Sequence, residues 1–202
     1  QYWPAEYLID GNGNLRRIHF GEGEYAETED AIRALLNERG QTVKNQMTQV
    51  PDETPHIRVT PETYVGLARL ERFSADKNIT AGSGSFTLPV SFPVHHFGFG
   101  GIWDVAPEFS TAAGGSKLRF EFYADKVFLV MHPKTAENKV RVYLDGKLVD
   151  RTNSGADAVN GVVTVNEPRL YQIIDLKGKS GEHLLELRFE NDGTQVYAFT
   201  FG

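Results

Sequence analysis

The 202-residue chain contains no cysteine. That single absence excludes disulfides, thiolate nucleophiles and cysteine-ligated zinc together. Basic residues are few and scattered: 21 Lys and Arg stand against 27 Asp and Glu, a formal charge of −6. Without a Lys/Arg cluster to track phosphates, nucleic acid is not an expected partner. No apolar run approaches the roughly 20 residues a membrane-spanning helix needs, so no membrane segment is expected. No signal peptide is expected at the front either, because patterned sequence begins at Gln1. The serine elbow G-x-S-x-G is missing, and Ser74, Ser91 and Ser110 sit in no catalytic frame. A hydrolase is therefore not indicated. His19, His56, His132 and His183 are spread without ligand spacing, and His95-His96 are adjacent. Adjacent strand residues point to opposite faces, so that pair does not readily share an ion. No metal and no cofactor is expected.

What is present falls into three regions. Residues 1–40 read as two strands and a helix. Tyr7-Leu8-Ile9 is a short apolar strand, and Leu15, Ile18 and Phe20 lie on a second. Between them, Asp10-Gly11-Asn12-Gly13-Asn14 supplies residues that tolerate positive φ, which predicts a hairpin. The same stretch superficially resembles a calcium loop. An EF-hand needs Gly at its sixth position and Glu at its twelfth, and here those are Leu15 and Gly21. A helix follows, with Thr28 as one candidate N-cap and Tyr25 or Ala26 as the alternative start, an apolar stripe of Ile32, Leu35 and Leu36, and Gly40 as its stop. Residues 41–60 are polar, carry Pro51 and Pro55, and read as a linker.

Residues 61–202 read as a β domain. In LRFEFYADKVFLVM, apolar Leu118, Phe120 and Phe122 alternate with charged residues, and a turn at Ala124-Asp125-Lys126 leads to Val127, Leu129 and Met131. In VRVYLDGKLV, Asp145-Gly146 between apolar runs predicts a tight hairpin. Two strands flank Glu167-Pro168, and two more are joined by Asn191-Asp192-Gly193. The stretch TAGSGS, Thr80 to Ser85, reads as a loop, and Phe97 to Gly101 as a glycine-rich segment with aromatic residues. The fold class is mainly β: a sandwich or jelly roll of seven or eight short strands, preceded by a ββα segment.

Family likeness adds to this. Pro4-Ala5-Glu6-Tyr7-Leu8-Ile9-Asp10, then Gly13 and Gly21, resemble the second half of thioredoxin-like proteins of the TlpA/ResA type. The blocks YWPAEYLID, HFGEGEYAETE, TPETYVG, GGIWDV, VTVNEPRLYQ and YAFTFG, taken in order, resemble the C-terminal part of DipZ-type thiol–disulfide interchange proteins. That resemblance implies the end of a thioredoxin-like domain joined to a β-sandwich similar to carbohydrate-binding modules. It makes Trp3-Pro4 a candidate cis bond, the remnant of a redox-site wall. It also implies a protein thiol or disulfide as the parent's partner and a periplasmic or extracytoplasmic location. The Cys-x-x-Cys of that family is absent, so this chain is not itself an enzyme, and the expectation is a C-terminal fragment of a longer oxidoreductase. Separately, LDGK at the end of one strand and Gly181-Glu182-His183-Leu184-Leu185-Glu186-Leu187 resemble the pattern of galactose-binding-like jelly rolls.

Two other functions stay open for the sandwich: binding carbohydrate or an envelope polymer, and purely structural support of the redox domain. A sugar site pairs an aromatic platform with planar polar groups. The candidates are His95, His96, Phe97, Trp103, Glu167, Arg169 and Tyr171. Each taken singly is explained first by packing: a lone Trp on a strand as core, and Glu167 with Arg169 as a mutual pair. Two strands and one helix are too small to fold unaided. Docking onto the β domain, a second copy, or a missing half is therefore expected to cover residues 1–40.

Overall fold

A computed structural model describes residues 4–21, 23–49, 59–75, 78–134 and 137–202. The chain forms two compact units, residues 1–56 and 57–202.

In the first unit, β1 (Ala5–Ile9) and β2 (Leu15–Phe20) form an antiparallel pair with Tyr7 opposite Ile18, followed by α1 (Tyr25–Glu38). The hairpin turn is built on Asp10. Its carboxylate accepts from the Asn12 and Asn14 amides, each at 2.9 Å. Led by the bond from Asn14, these contacts hold the Asp10 carboxyl at about 2. The helix begins at Tyr25, so Thr28 lies inside its first turn rather than capping it. Glu24 occupies the left-handed region (φ 50°) and the Thr28 amide donates to its carbonyl. At the other end, Gly40 (φ 73°) donates to Asn37 O and Gln41 donates to Leu36 O. Those two bonds are a Schellman stop. Residues 41–49 carry no regular element, but the Arg33 guanidinium donates to Asn45 O and Gln46 O and ties them to α1. Pro51 and Pro55 lie outside the described residues.

Leu8, Arg17 and His19 are half-buried, and share a depression with Thr28 and Ile32 of α1. The opposite strand face is apolar and exposed: Tyr7 58 %, Ile9 58 %, Leu15 51 %, Ile18 45 %, Phe20 48 %. Among the described residues, β1 pairs only with β2.

The second unit holds 13 strands. They are β3 (Thr63–Tyr64), β4 (Gly82–Phe86), β5 (His96–Val105), β6 (Ser110–Ala112), β7 (Lys117–Ala124), β8 (Lys126–Pro133) and β9 (Asn138–Leu144), then β10 (Lys147–Leu148), β11 (Ala158–Val159), β12 (Val162–Val165), β13 (Arg169–Asp175), β14 (Gly181–Phe189) and β15 (Thr194–Phe201). One sheet runs β11-β12-β9-β14-β7-β5, with β10 on β9. The other runs β5-β6-β15-β8-β13, with β4 on β5 and β3 on β15. The Gly- and Ser-rich stretch Thr80 to Ser85, expected as a loop, contains most of β4. Gly82 to Phe86 pairs with Val105 to Gly101. Backbone pairing makes it a strand where side chains give no alternation.

Strand β5 belongs to both sheets. His96–Gly100 pairs with β7, and Gly101–Val105 with β4 and β6. The bend falls at Gly101, in the left-handed region (φ 86°), where a Cβ would also lie 2.9 Å from Ser116 Oγ. A Cβ at Gly98 would lie 2.7 Å from Ser74 O and 2.8 Å from Phe92 Cε1, so chain crossing the outside of β5 requires glycine there too. The glycine-rich segment is thus a sheet-switching strand.

The alternation in β7 resolves as read: Leu118, Phe120 and Phe122 are buried between half-exposed Arg119, Glu121 and Tyr123. From these and their opposites on β8, β14 and β15 comes one continuous core. Trp103 sits inside the bend. Its indole N–H donates to Gly100 O at 3.2 Å, its ring stacks on Phe99 with centroids 4.1 Å apart, and Phe189 meets it edge-on. The far strands are also tied together, because the Gly155 and Asp157 amides donate to Ile173 O and Gln172 O. The sandwich is therefore nearly closed.

Trp103→Ala removes both the packing and the hydrogen bond at the bend and is expected to lower stability by about 3–5 kcal/mol. Ile102→Ala, one residue away and 55 % exposed, is expected to change it by less than about 0.5 kcal/mol. Urea denaturation checks both. Equal effects would remove the bend from its place at the centre of the fold.

Candidate functional site

The ligand-binding candidates singled out from sequence occupy three places. His95 precedes β5 in the left-handed region (φ 69°). Its Nδ1 shares a 2.8 Å hydrogen bond with the Thr60 hydroxyl, which also accepts from the Tyr123 amide at 2.7 Å. Burial, then the charges of Arg72 and His96, hold the His95 imidazole below its usual range. His96 donates from Nδ1 to Val94 O at 3.1 Å and lies across from Glu121. Phe97 is fully buried and packs on Phe73, Phe99 and Phe120. Trp103 is fully buried at the bend, with no ring face open to solvent.

Glu167, Arg169 and Tyr171 do come together, at the corner between β12 and β13. Arg169 lies over the Tyr171 ring at 3.8 Å, bonds Asp157 at 2.8 Å and approaches Glu167 at 3.2 Å. The Tyr171 hydroxyl donates to Glu167 O at 2.7 Å while its ring is fully buried. Partial burial works against the charge on Asp157. The Arg169 guanidinium and the Gln172 amide outweigh it and hold the carboxyl below the usual range. These contacts fasten a strand corner. For the redox remnant, Trp3 and its bond to Pro4 lie outside the described residues. The Pro4 carbonyl accepts from the Gly21 amide at 2.8 Å and closes the base of the hairpin. Among the described residues no group of three His, Asp or Glu side chains is placed to hold a metal ion.

A site not proposed from sequence lies where LDGK and GEHLLEL meet. The β9–β10 turn has two successive left-handed residues, Asp145 (φ 50°) and Gly146 (φ 77°). It projects the Asp145 carboxylate onto β14. One oxygen accepts from His183 Nδ1 at 2.7 Å and the other from the Leu184 amide at 2.9 Å. An ionised carboxylate only accepts, so the imidazole proton on that side is fixed on Nδ1. Around this staple, the β10–β11 and β13–β14 loops line an open cleft of about 490 Å3. Leu144 and Leu176 form its buried floor, and Lys147, Lys177 and Lys179 stand on its walls. The two motifs were visible in the sequence. Their meeting was not, because 38 residues separate Asp145 from His183.

On the outer face of the same sheet, Glu186 is 5 % exposed and bonds both Arg119 and Arg188 at 2.5 Å. Arg188 also covers the Tyr143 ring. Burial opposes the Glu186 charge, but the hydrogen bonds from Arg188 and Arg119 prevail and its carboxyl is held low. A depressed carboxyl stabilises the fold above the unfolded value of 4.5 and loses that contribution as pH falls through the folded one. Glu186→Gln is therefore expected to lose roughly 1–3 kcal/mol at pH 7, and the gap to the parent protein should narrow as pH falls below the unfolded value of 4.5. Thermal melts on either side of that pH check it; a gap that widens toward acid would contradict the assignment.

Residues 60–202 match the model of the thioredoxin-like C-terminal domain family. The whole chain is similar to Protein DipZ of Mycobacterium bovis and of Mycobacterium tuberculosis. Each is 32 % identical over 206 residues, covering 100 % of this chain and 27 % of the relative. The chain thus spans about a quarter of the length of the curated relatives it matches. Among solved structures, a family two carbohydrate esterase from Clostridium thermocellum in complex with cellohexaose aligns with 20 % identity and a TM-score of 0.40, over 50 % of this chain and 29 % of its own. Its counterpart from Cellvibrio japonicus aligns with 13 % identity and a TM-score of 0.36, over 46 % and 26 %.

Proposed function

The chain belongs to the thioredoxin-like C-terminal domain family, and from that premise we propose that it is the C-terminal part of a DipZ-type thiol–disulfide oxidoreductase. The reactive cysteines of that enzyme lie on sequence outside this chain, and the sandwich is its non-catalytic accessory module. The observation that carries the reading is similarity along the whole of a chain that has no cysteine. A thiol–disulfide exchange needs a thiolate to attack and a second sulfur to resolve, and neither is available here.

The ββα unit supports this physically. Its helix covers one face of the hairpin and leaves Tyr7, Ile9, Leu15 and Ile18 exposed on the other. An isolated two-stranded sheet is marginal in water. The remainder of a thioredoxin-like domain is the occupant we assign to that face, with the β1 edge as the place where its sheet continues. In that arrangement Pro4 borders the redox site without reacting in it.

Two measurements test the proposal. Mass spectrometry of the native gene product should find a longer protein carrying a Cys-x-x-Cys before Tyr2, whose alkylation abolishes disulfide reduction. A native product with no cysteine pair would end the reading. In that longer protein, deleting residues 57–202 should leave reduction of a small disulfide within about twofold while slowing reduction of its protein partner. Unchanged rates for both substrates would deny the sandwich an accessory role.

A further inference from the structure

We propose that the cleft beside Asp145 and His183 binds a small polyoxyanion, a sugar-sized ligand bearing a carboxylate or a phosphate. This goes beyond the redox reading and does not rest on it.

Free donors outnumber free acceptors in the cleft. Lys147 and Lys179 line it, and neither has an anionic partner within salt-bridge distance among the described residues. Lys177 is held by Asp175 at 2.8 Å and contributes a partly compensated third charge. Asn153 uses its carbonyl oxygen to accept from the Asp150 amide at 3.0 Å, which leaves its NH2 group to donate. Thr152 donates its hydroxyl to Asp150 at 2.6 Å. Asp145, the carboxylate in the wall, already accepts one hydrogen bond at each oxygen, from His183 and from Leu184. A ligand entering here meets N–H groups and must bring the oxygens. A neutral polyol brings as many donors as acceptors and matches this lining poorly. An oxyanion matches it in hydrogen bonding and in charge.

Two further features suit a binding site. The chain carries a formal charge of −6, so a donor-rich cleft is a local reversal of its overall field. The lysines also stand on fixed backbone. Lys177 (φ 57°) and Gly178 (φ 83°) form a tight turn, whose amides donate to Asp175 and Asp125, each at 2.9 Å. Lys147 follows directly on the Asp145-Gly146 turn. A fixed backbone at Lys147 and Lys177 leaves only side-chain ordering to be met on binding. The volume of about 490 Å3 lies in the range of small-molecule sites.

Calorimetry of the full chain with glucuronate, glucose 1-phosphate and glucose tests the proposal. At least one anion should bind with a Kd of about 1 mM or tighter, and glucose about tenfold more weakly or not at all. The two anion arms separate a carboxylate from a phosphate ligand. The double variant K147A/K179A should weaken anion binding by about tenfold or more. Its melting temperature should not change, because both side chains are exposed. Failure of both anions to bind, glucose binding as tightly as the anions, or anion binding untouched by K147A/K179A would each overturn it.

Discussion

The bend of β5 at Gly101 is the constraint from which the sandwich is built, because one strand must complete both sheets. His96–Gly100 closes the sheet of β7 and β14, and Gly101–Val105 opens the sheet of β6 and β15. A corner of this kind leaves a wedge of space inside the turn, and Trp103 fills it while bonding the carbonyl of Gly100. The aromatic cluster of Phe73, Phe97, Phe99 and Phe189 packs outward from that wedge. The ring that sequence reading offered as a sugar platform is thereby committed to the corner. On the far side, the Arg169–Asp157 pair and the amides of Gly155 and Asp157 join the outer strands of the two sheets. Closure at both sides leaves the strand-end loops as the places where chemistry can differ.

Those loops are also where most chain crossings occur. The turns at Asp125, at Asn166–Pro168 and at Asn191–Gly193 each carry the chain from one sheet to the other. The Asp145-Gly146 turn stays within one sheet as a true hairpin. It can therefore reach sideways onto β14, and the donor-rich cleft forms at that contact. The cleft and the corner of Glu167, Arg169 and Tyr171 thus differ in kind. At the corner every charged group is spent on fastening the fold, whereas Lys147 and Lys179 are left over.

Much of this was legible in the sequence, and the limits have physical causes. Alternation in Leu118, Phe120 and Phe122 gives β7 and its core face because burial on one side imposes period two. The Asp145-Gly146 hairpin and the Gly40 helix stop are legible because each demands a left-handed residue. Strand β4 was hidden, since Gly82, Ser83 and Gly84 carry no hydrophobic signal and are held by pairing with β5. The start of α1 was left open between Tyr25, Ala26 and a cap at Thr28, because Glu24 forms the entry with its backbone and leaves no capping side chain to read. Turn signals mark where a strand ends without saying whether the next strand pairs with it or crosses to the other sheet. The cleft was illegible because its walls come from three loops far apart in sequence, Asp145 and His183 being 38 residues apart.

The two units stand in contrast. The sandwich buries large aromatic side chains completely, whereas α1 has no fully buried residue and the hairpin exposes an apolar face. We therefore propose that the ββα unit, which buries no large apolar side chain among its described residues, completes its core within a larger domain. Amide hydrogen exchange on this chain tests that most directly. Amides in β7, β14 and β8 should exchange only through global unfolding, and those in β1 and β2 at least about a hundredfold faster through local opening. Equal protection of the hairpin and the sandwich would contradict the account.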